Sequence, residues 1–105
     1  MPTPVDTRMD VFQRLADAAE EIRGLGVRRL ALFGSFVRSE ARPDSDVDLL
    51  VEFVPAQKTI DRFMHLYDLL EERLGRKVEL VTMEALSPYI GPHILAEAED
   101  VVRAA

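Results

Sequence analysis

The stretch Leu30–Phe53, LALFGSFVRSEARPDSDVDLLVEF, decides how this chain is read. Two apolar runs, Arg29 to Phe33 and Val47 to Phe53, have strand character, and a polar segment joins them. That segment opens on Gly34-Ser35 and closes on Asp46-x-Asp48, at the mouth of the second run. An ionised carboxylate is costly to bury, so two of them at the start of a hydrophobic strand need a reason.

Strand geometry supplies half of it. Side chains alternate across a strand, which sends Val47, Leu49, Val51 and Phe53 to the core face and Asp46 and Asp48 together to the other. Like charges that close raise each other's pKa unless a positive charge lies between them. A divalent cation answers that need, and hard carboxylate oxygens suit Mg²⁺ held jointly with substrate phosphates. In the third apolar run, Lys77 to Val81 (KVELV), Glu79 projects opposite to Val78 and Leu80. If this strand neighbours the second, Glu79 joins Asp46 and Asp48 as a third acid, a set fitted to a two-metal site.

Gly34-Ser35 is the complement. Glycine permits close backbone approach, the following N–H groups favour an anion, and a serine hydroxyl adds a donor. A phosphate cradle on one loop and metal-binding acids on the next strand point to nucleoside triphosphate chemistry.

The remainder of the chain narrows the setting. At 105 residues, 48% hydrophobic and 30% charged, it has the balance of one soluble globular domain, residues 1–105. No apolar run approaches a membrane span, and MPTPVDTRMD lacks the layout of a signal peptide. Without cysteines, disulfides and thiolate metal sites are excluded, and a cytoplasmic home is compatible. A net charge of −6 argues against strong direct binding of nucleic acid. A local basic patch from Arg23, Arg28, Arg29, Arg38 and Arg42 stays open, Arg38 being able to touch phosphate or merely cover its helix.

Apolar spacing predicts a first helix from about Asp6 to Leu25, its stripe being Met9, Phe12, Leu15, Ala16, Ala19 and Ile22. A short helix is expected from Ser35 to about Glu40, then a turn at Pro43-Asp44-Ser45. Thr59 caps a helix to Leu74 with stripe Ile60, Phe63, Met64, Tyr67, Leu70 and Leu74, and Gly75 stops it. Ser87-Pro88 starts a last helix to about Glu99, and the tail from Asp100 is either a short strand or frayed. Helices and strands alternating in this way predict an α/β (α+β) fold, one small mixed sheet flanked by helices.

Gly34-Ser35 followed by Asp46-x-Asp48 resembles the signature of the DNA polymerase β-like nucleotidyltransferase superfamily, and the short chain resembles a minimal nucleotidyltransferase (MNT) domain. The resemblance runs from Arg29 through SPYIGPHILAEA. It implies ATP and Mg²⁺, with Asp46, Asp48 and Glu79 as metal-binding catalytic acids and Gly34, Ser35 and Arg38 at the nucleotide. Where the family often reads G-S-x-A-R-G-E-A, this chain has Val37 and Ser39, and Glu79 stands where aspartate is common.

Stand-alone MNT proteins of prokaryotes are antitoxins, and the resemblance implies AMP transfer to a tyrosine of a partner HEPN ribonuclease carrying R-x(4–6)-H. Neither His65 nor His93 follows an arginine at that spacing, as an antitoxin chain should read. Two alternatives stay open: a non-catalytic antitoxin that acts by binding, and a nucleotidyltransferase acting on a small molecule.

Overall fold

The computed structural model describes residues 3–103. Four strands form one sheet in the order β3-β2-β1-β4, where β1 is Val27–Phe33, β2 Val47–Phe53, β3 Val78–Thr82 and β4 Glu99–Arg103. β1 runs antiparallel to both β2 and β4, and β2 runs parallel to β3. The sheet is therefore mixed, and helices flank it: α1 (Arg8–Asp17), α2 (Ala19–Gly24), α3 (Ile60–Leu74) and α4 (Gly91–Glu97).

Alternation along the strands builds the core. Leu30 and Leu32 of β1, Val47, Leu49 and Val51 of β2 and Val78 of β3 are buried in one cluster with Val11, Leu15, Ala18 and Ile22 of the first helical segment. From α3, Leu66, Leu69, Leu70 and Leu74 complete it. The acid-bearing face is not wholly polar, because Ala31 and Leu50 on it are also buried. That matters for Asp48, which shares the face with Leu50 two residues away.

Local chemistry sets the ends of α3. The Thr59 hydroxyl accepts from the Arg62 N–H at 3.1 Å, and Gly75 closes the helix at φ 66° with its N–H donating to Glu71 O. As the crossover between two parallel strands, α3 brings β3 alongside β2 and sets the register that opposes Asp48 to Glu79.

Several sequence expectations need correction. The first helix breaks at Ala18 into α1 and α2, and its buried stripe is Val11, Leu15, Ala18 and Ile22, with Met9 67% exposed and Ala16 outward. On α3 the buried stripe is rotated, so Ile60 and Met64 face solvent. Residues 34–39 form consecutive turns rather than a helix, with Arg38 N–H bonded to Gly34 O and Glu40 N–H to Ser35 O. α4 starts at Gly91, not Ser87: the Ser87 hydroxyl accepts from the Tyr89 and Ile90 N–H groups and is spent on a turn. Of the two readings of the tail, the strand is the one found: Glu99–Arg103 pairs along the open edge of β1.

Candidate active site

Gly34 ends β1, and its backbone is left-handed at φ 77°. Antiparallel pairing sets Phe33 opposite Asp48, so the glycine beyond Phe33 lies directly against the Asp48 side chain. A methyl group at Gly34 would overlap Asp48 Oδ2 outright and lie 2.9 Å from its Cγ. Glycine is thus required twice over, by its torsion and by what it touches.

Across β2 and β3, Asp48 pairs with Glu79 on one face. Burial pushes the Asp48 carboxyl up to about 6, and the neighbouring Glu79, through charge and a hydrogen bond, and then Asp46 add to the shift, while Arg38 opposes it. A carboxylate half-buried beside two others is a surplus of negative charge on hard oxygen atoms. That donor set fits a divalent cation, with Asp48 and Glu79 able to hold it and Asp46 next in reach.

The three acids are not, however, gathered round one point as they stand. Among the described residues no three His, Cys, Asp or Glu side chains are grouped so as to hold a metal ion. Asp48 and Glu79 engage each other, and Asp46 acts on the pair through charge. Nor are the acids neutralised from within: among the described residues no ion pair engages Asp46, Asp48 or Glu79.

On the loop side, the Gly34 N–H donates to Glu97 Oε2 at 2.7 Å. Arg38 donates from Nη1 to the same carboxylate, at 2.9 Å to Oε1, and from Nε to Glu40 Oε1 at 2.8 Å. Glu97, foremost, and Glu40 raise the Arg38 pKa further, so this guanidinium is a permanent positive charge beside the acids. Ser35 is partly buried in the same turn. The structure therefore brings Gly34, Ser35 and Arg38 to one end of β1, next to Asp48 and Glu79.

Two residues escaped sequence reading. Glu97 reaches the loop because β4 lies antiparallel to β1, Leu32 opposite Glu99, which carries the last residue of α4 to the exit of β1. In sequence it looks like one more acid of a solvated helix face. Arg76, with a side chain 8% exposed, donates from Nη1 to the carbonyl oxygens of Arg42 (3.0 Å), Pro43 (2.9 Å) and Ser45 (3.0 Å). Its guanidinium also stacks 5.2 Å from the centre of the Phe36 ring. One side chain thus ties the Gly34 loop to the segment leading into Asp46. Only its place after the α3 stop hinted at it.

Comparisons with known proteins agree with this geometry. The model of the nucleotidyltransferase domain family matches residues 13–101. The protein adenylyltransferase MntA of Thermococcus cleftensis is 43% identical over 72 residues, which are 69% of this chain and 72% of that protein. A solved minimal nucleotidyltransferase structure is 35% identical, with a TM-score of 0.69, covering 84% of this chain and 93% of its own. A structure of a tri-AMPylated Shewanella oneidensis HEPN toxin in complex with MNT antitoxin is 14% identical, with a TM-score of 0.64, covering 93% of this chain and 74% of that one; it bears on the fold alone. Signature, fold and relatives converge: the chain belongs to the nucleotidyltransferase domain family, in its minimal, MNT form.

Proposed function

We propose that this protein is an antitoxin that transfers AMP from ATP to a hydroxyl of a partner HEPN ribonuclease, a tyrosine being the acceptor, and thereby inactivates it. One observation carries the reading: an anion-receiving loop, Gly34 to Arg38, abuts the half-buried Asp48 and its exposed strand neighbour Glu79, with Asp46 beside them. The Thermococcus relative, a protein adenylyltransferase, supports the choice of reaction; the HEPN partner is proposed because the chain shares its fold with an MNT antitoxin bound to such a toxin.

In this reading the acceptor oxygen attacks the α-phosphorus of ATP, the bond to the β-phosphate breaks, and pyrophosphate leaves. The Gly34 N–H, the Ser35 hydroxyl and the Arg38 guanidinium bind the triphosphate and hold its charge. Asp48 and Glu79, joined by Asp46, would hold Mg²⁺, which would supply positive charge to the phosphates. Burial and the neighbouring Glu79 raise the proton affinity of Asp48, so this carboxylate is suited to take up the acceptor's proton as the new ester forms.

The test is incubation with labelled ATP, Mg²⁺ and a HEPN protein found encoded beside this one. Label is expected on the partner, to fall by roughly 100-fold or more with Asp46→Ala/Asp48→Ala, and to vanish when the partner's acceptor tyrosine is changed to phenylalanine. An unlabelled partner, or a double variant as active as the parent, overturns the reading.

A further inference from the structure

The Glu97 carboxylate occupies the position on the Gly34 loop where an anion is best received. It takes the Gly34 N–H at 2.7 Å and two contacts from Arg38 Nη1, at 2.9 and 3.1 Å. These are the donors assigned above to the triphosphate. To an N–H group a carboxylate and a phosphoryl group offer the same thing, a negatively charged oxygen. Gly34 has one such hydrogen, and it cannot serve both ligands at full strength.

The contact is built into the fold. Glu97 is 63 residues from Gly34 in sequence, and its side chain is only 27% exposed. The pairing of β4 with β1 leaves the end of α4 little choice of place. With Glu97 on Nη1 and Glu40 on Nε, two of the three guanidinium nitrogens of Arg38 are engaged by the chain's own acids. The cradle is partly filled from within.

We propose that Glu97 is an internal competitor for this cradle, displaced by the triphosphate of the incoming nucleotide, and that it sets nucleotide affinity. The proposal rests on reading Gly34 to Arg38 as the triphosphate loop. Binding then requires the carboxylate to swing out, and the apparent dissociation constant rises by the inverse of the fraction of molecules in which it is out. The effect scales with phosphate: large for ATP and tripolyphosphate, absent for adenosine. Glu97 does not touch the reacting atoms in this scheme. It moves the affinity for the nucleotide and leaves the chemical step alone.

Titration calorimetry on the full chain with ATP, tripolyphosphate and adenosine tests this, comparing the parent with Glu97→Ala. Glu97→Ala is expected to tighten ATP and tripolyphosphate by about tenfold, the factor for a cradle open one time in ten, and to leave adenosine unchanged. Equal or weaker triphosphate binding by a folded Glu97→Ala overturns the proposal while the loop's assignment stands. Absence of triphosphate binding by parent and variant alike removes the assignment of the loop, and this proposal with it. Should Glu97→Ala not fold, the parent decides through NMR: tripolyphosphate must shift both the Gly34 amide and the Glu97 side-chain carboxylate signals. A Glu97 signal that stays put while Gly34 moves overturns displacement.

Discussion

Gly34 and Asp48 are in direct contact: the Cα of the glycine faces the aspartate carboxylate, with no room between them for a methyl group. Gly34→Ala therefore has two costs, the left-handed torsion and eviction of Asp48 from its place beside Glu79. The torsion alone costs about 1–2 kcal/mol, and turning the Asp48 side chain away adds to it. AMP transfer is expected to drop by more than the stability loss explains, because Asp48 is displaced even in molecules that stay folded. Gly24→Ala is the control. Gly24 ends α2 with nothing within 4 Å of an added methyl, so that variant should match or exceed the parent by up to about 0.5 kcal/mol. Urea denaturation and transfer assays on both variants check this, and a fully active Gly34→Ala would rule out the contact's importance.

The proton affinity of Asp48 predicts how stability varies with pH in metal-free protein. Its carboxyl titrates near 6 in the fold against an ordinary value of 3.8, mainly through burial and then through Glu79. Between those values the native state keeps a proton that the unfolded chain has released, so stability falls as pH rises from about 4 to 6. The penalty is absent below the ordinary value and fully present above about 6. Asp48→Asn removes it. With solvent screening allowed for at this half-exposed group, the variant should be about 1–2 kcal/mol more stable than the parent at pH 7.5 and equal to it near pH 3.5. Chemical denaturation across pH in chelator would show this, and Mg²⁺ should then stabilise the parent more than the variant. A pH-independent difference would mean that Asp48 is not held protonated by its surroundings.

Much of this arrangement was legible because the chemistry is local. β2 spans Val47–Phe53 as its alternation suggests, and Thr59 and Gly75 bound α3 through bonds made within a few residues. The face that Glu79 takes was legible from alternation, but its place beside the aspartates depended on β3 being the neighbour of β2, which the parallel pairing supplies. The rest depended on distant pieces. No glycine or proline marks the break at Ala18, where burial of Ala18 itself wins over helix continuity. Ser87-Pro88 has the makings of a helix start, yet its hydroxyl closes a turn and the helix waits for Gly91-Pro92. Glu97 and Arg76 acquire meaning only through partners 63 and roughly 30–70 residues away, which no periodicity encodes.

Ser39 is the described non-glycine residue with a positive φ, 58°, in the turn that carries Arg38. A left-handed torsion costs a residue with a Cβ about 1–2 kcal/mol. The pattern that this stretch resembles often has glycine at this position, which the torsion favours. Ser39→Gly should stabilise the protein by about 0.5–1 kcal/mol, the gain being trimmed by the freer unfolded chain. Thermal melting of the two proteins reads it directly. A loss of stability would mean that the Ser39 hydroxyl contributes more than its torsion costs.

Arg76 supplies the last prediction, because no other residue type can reproduce its contacts. Its planar fork reaches Val5 O on one side and the carbonyl oxygens of Arg42, Pro43 and Ser45 on the other, over the buried Phe36 ring. Lysine keeps the charge but carries it on one point, so Arg76→Lys should lose about 2 kcal/mol. Arg76→Met leaves part-buried carbonyl oxygens without donors and should lose about 3–4 kcal/mol. The lysine variant is the informative one. Measured well below its melting temperature, it should bind ATP in the presence of Mg²⁺ more weakly than the parent, since the 42–45 segment that delivers Asp46 and the Phe36 end of the cradle are no longer tied together. Without Mg²⁺ the two proteins should differ less, because the looseness falls first on the acids. An Arg76→Lys protein that matches the parent in both stability and Mg²⁺-dependent binding would show that the two loops hold their places without this side chain.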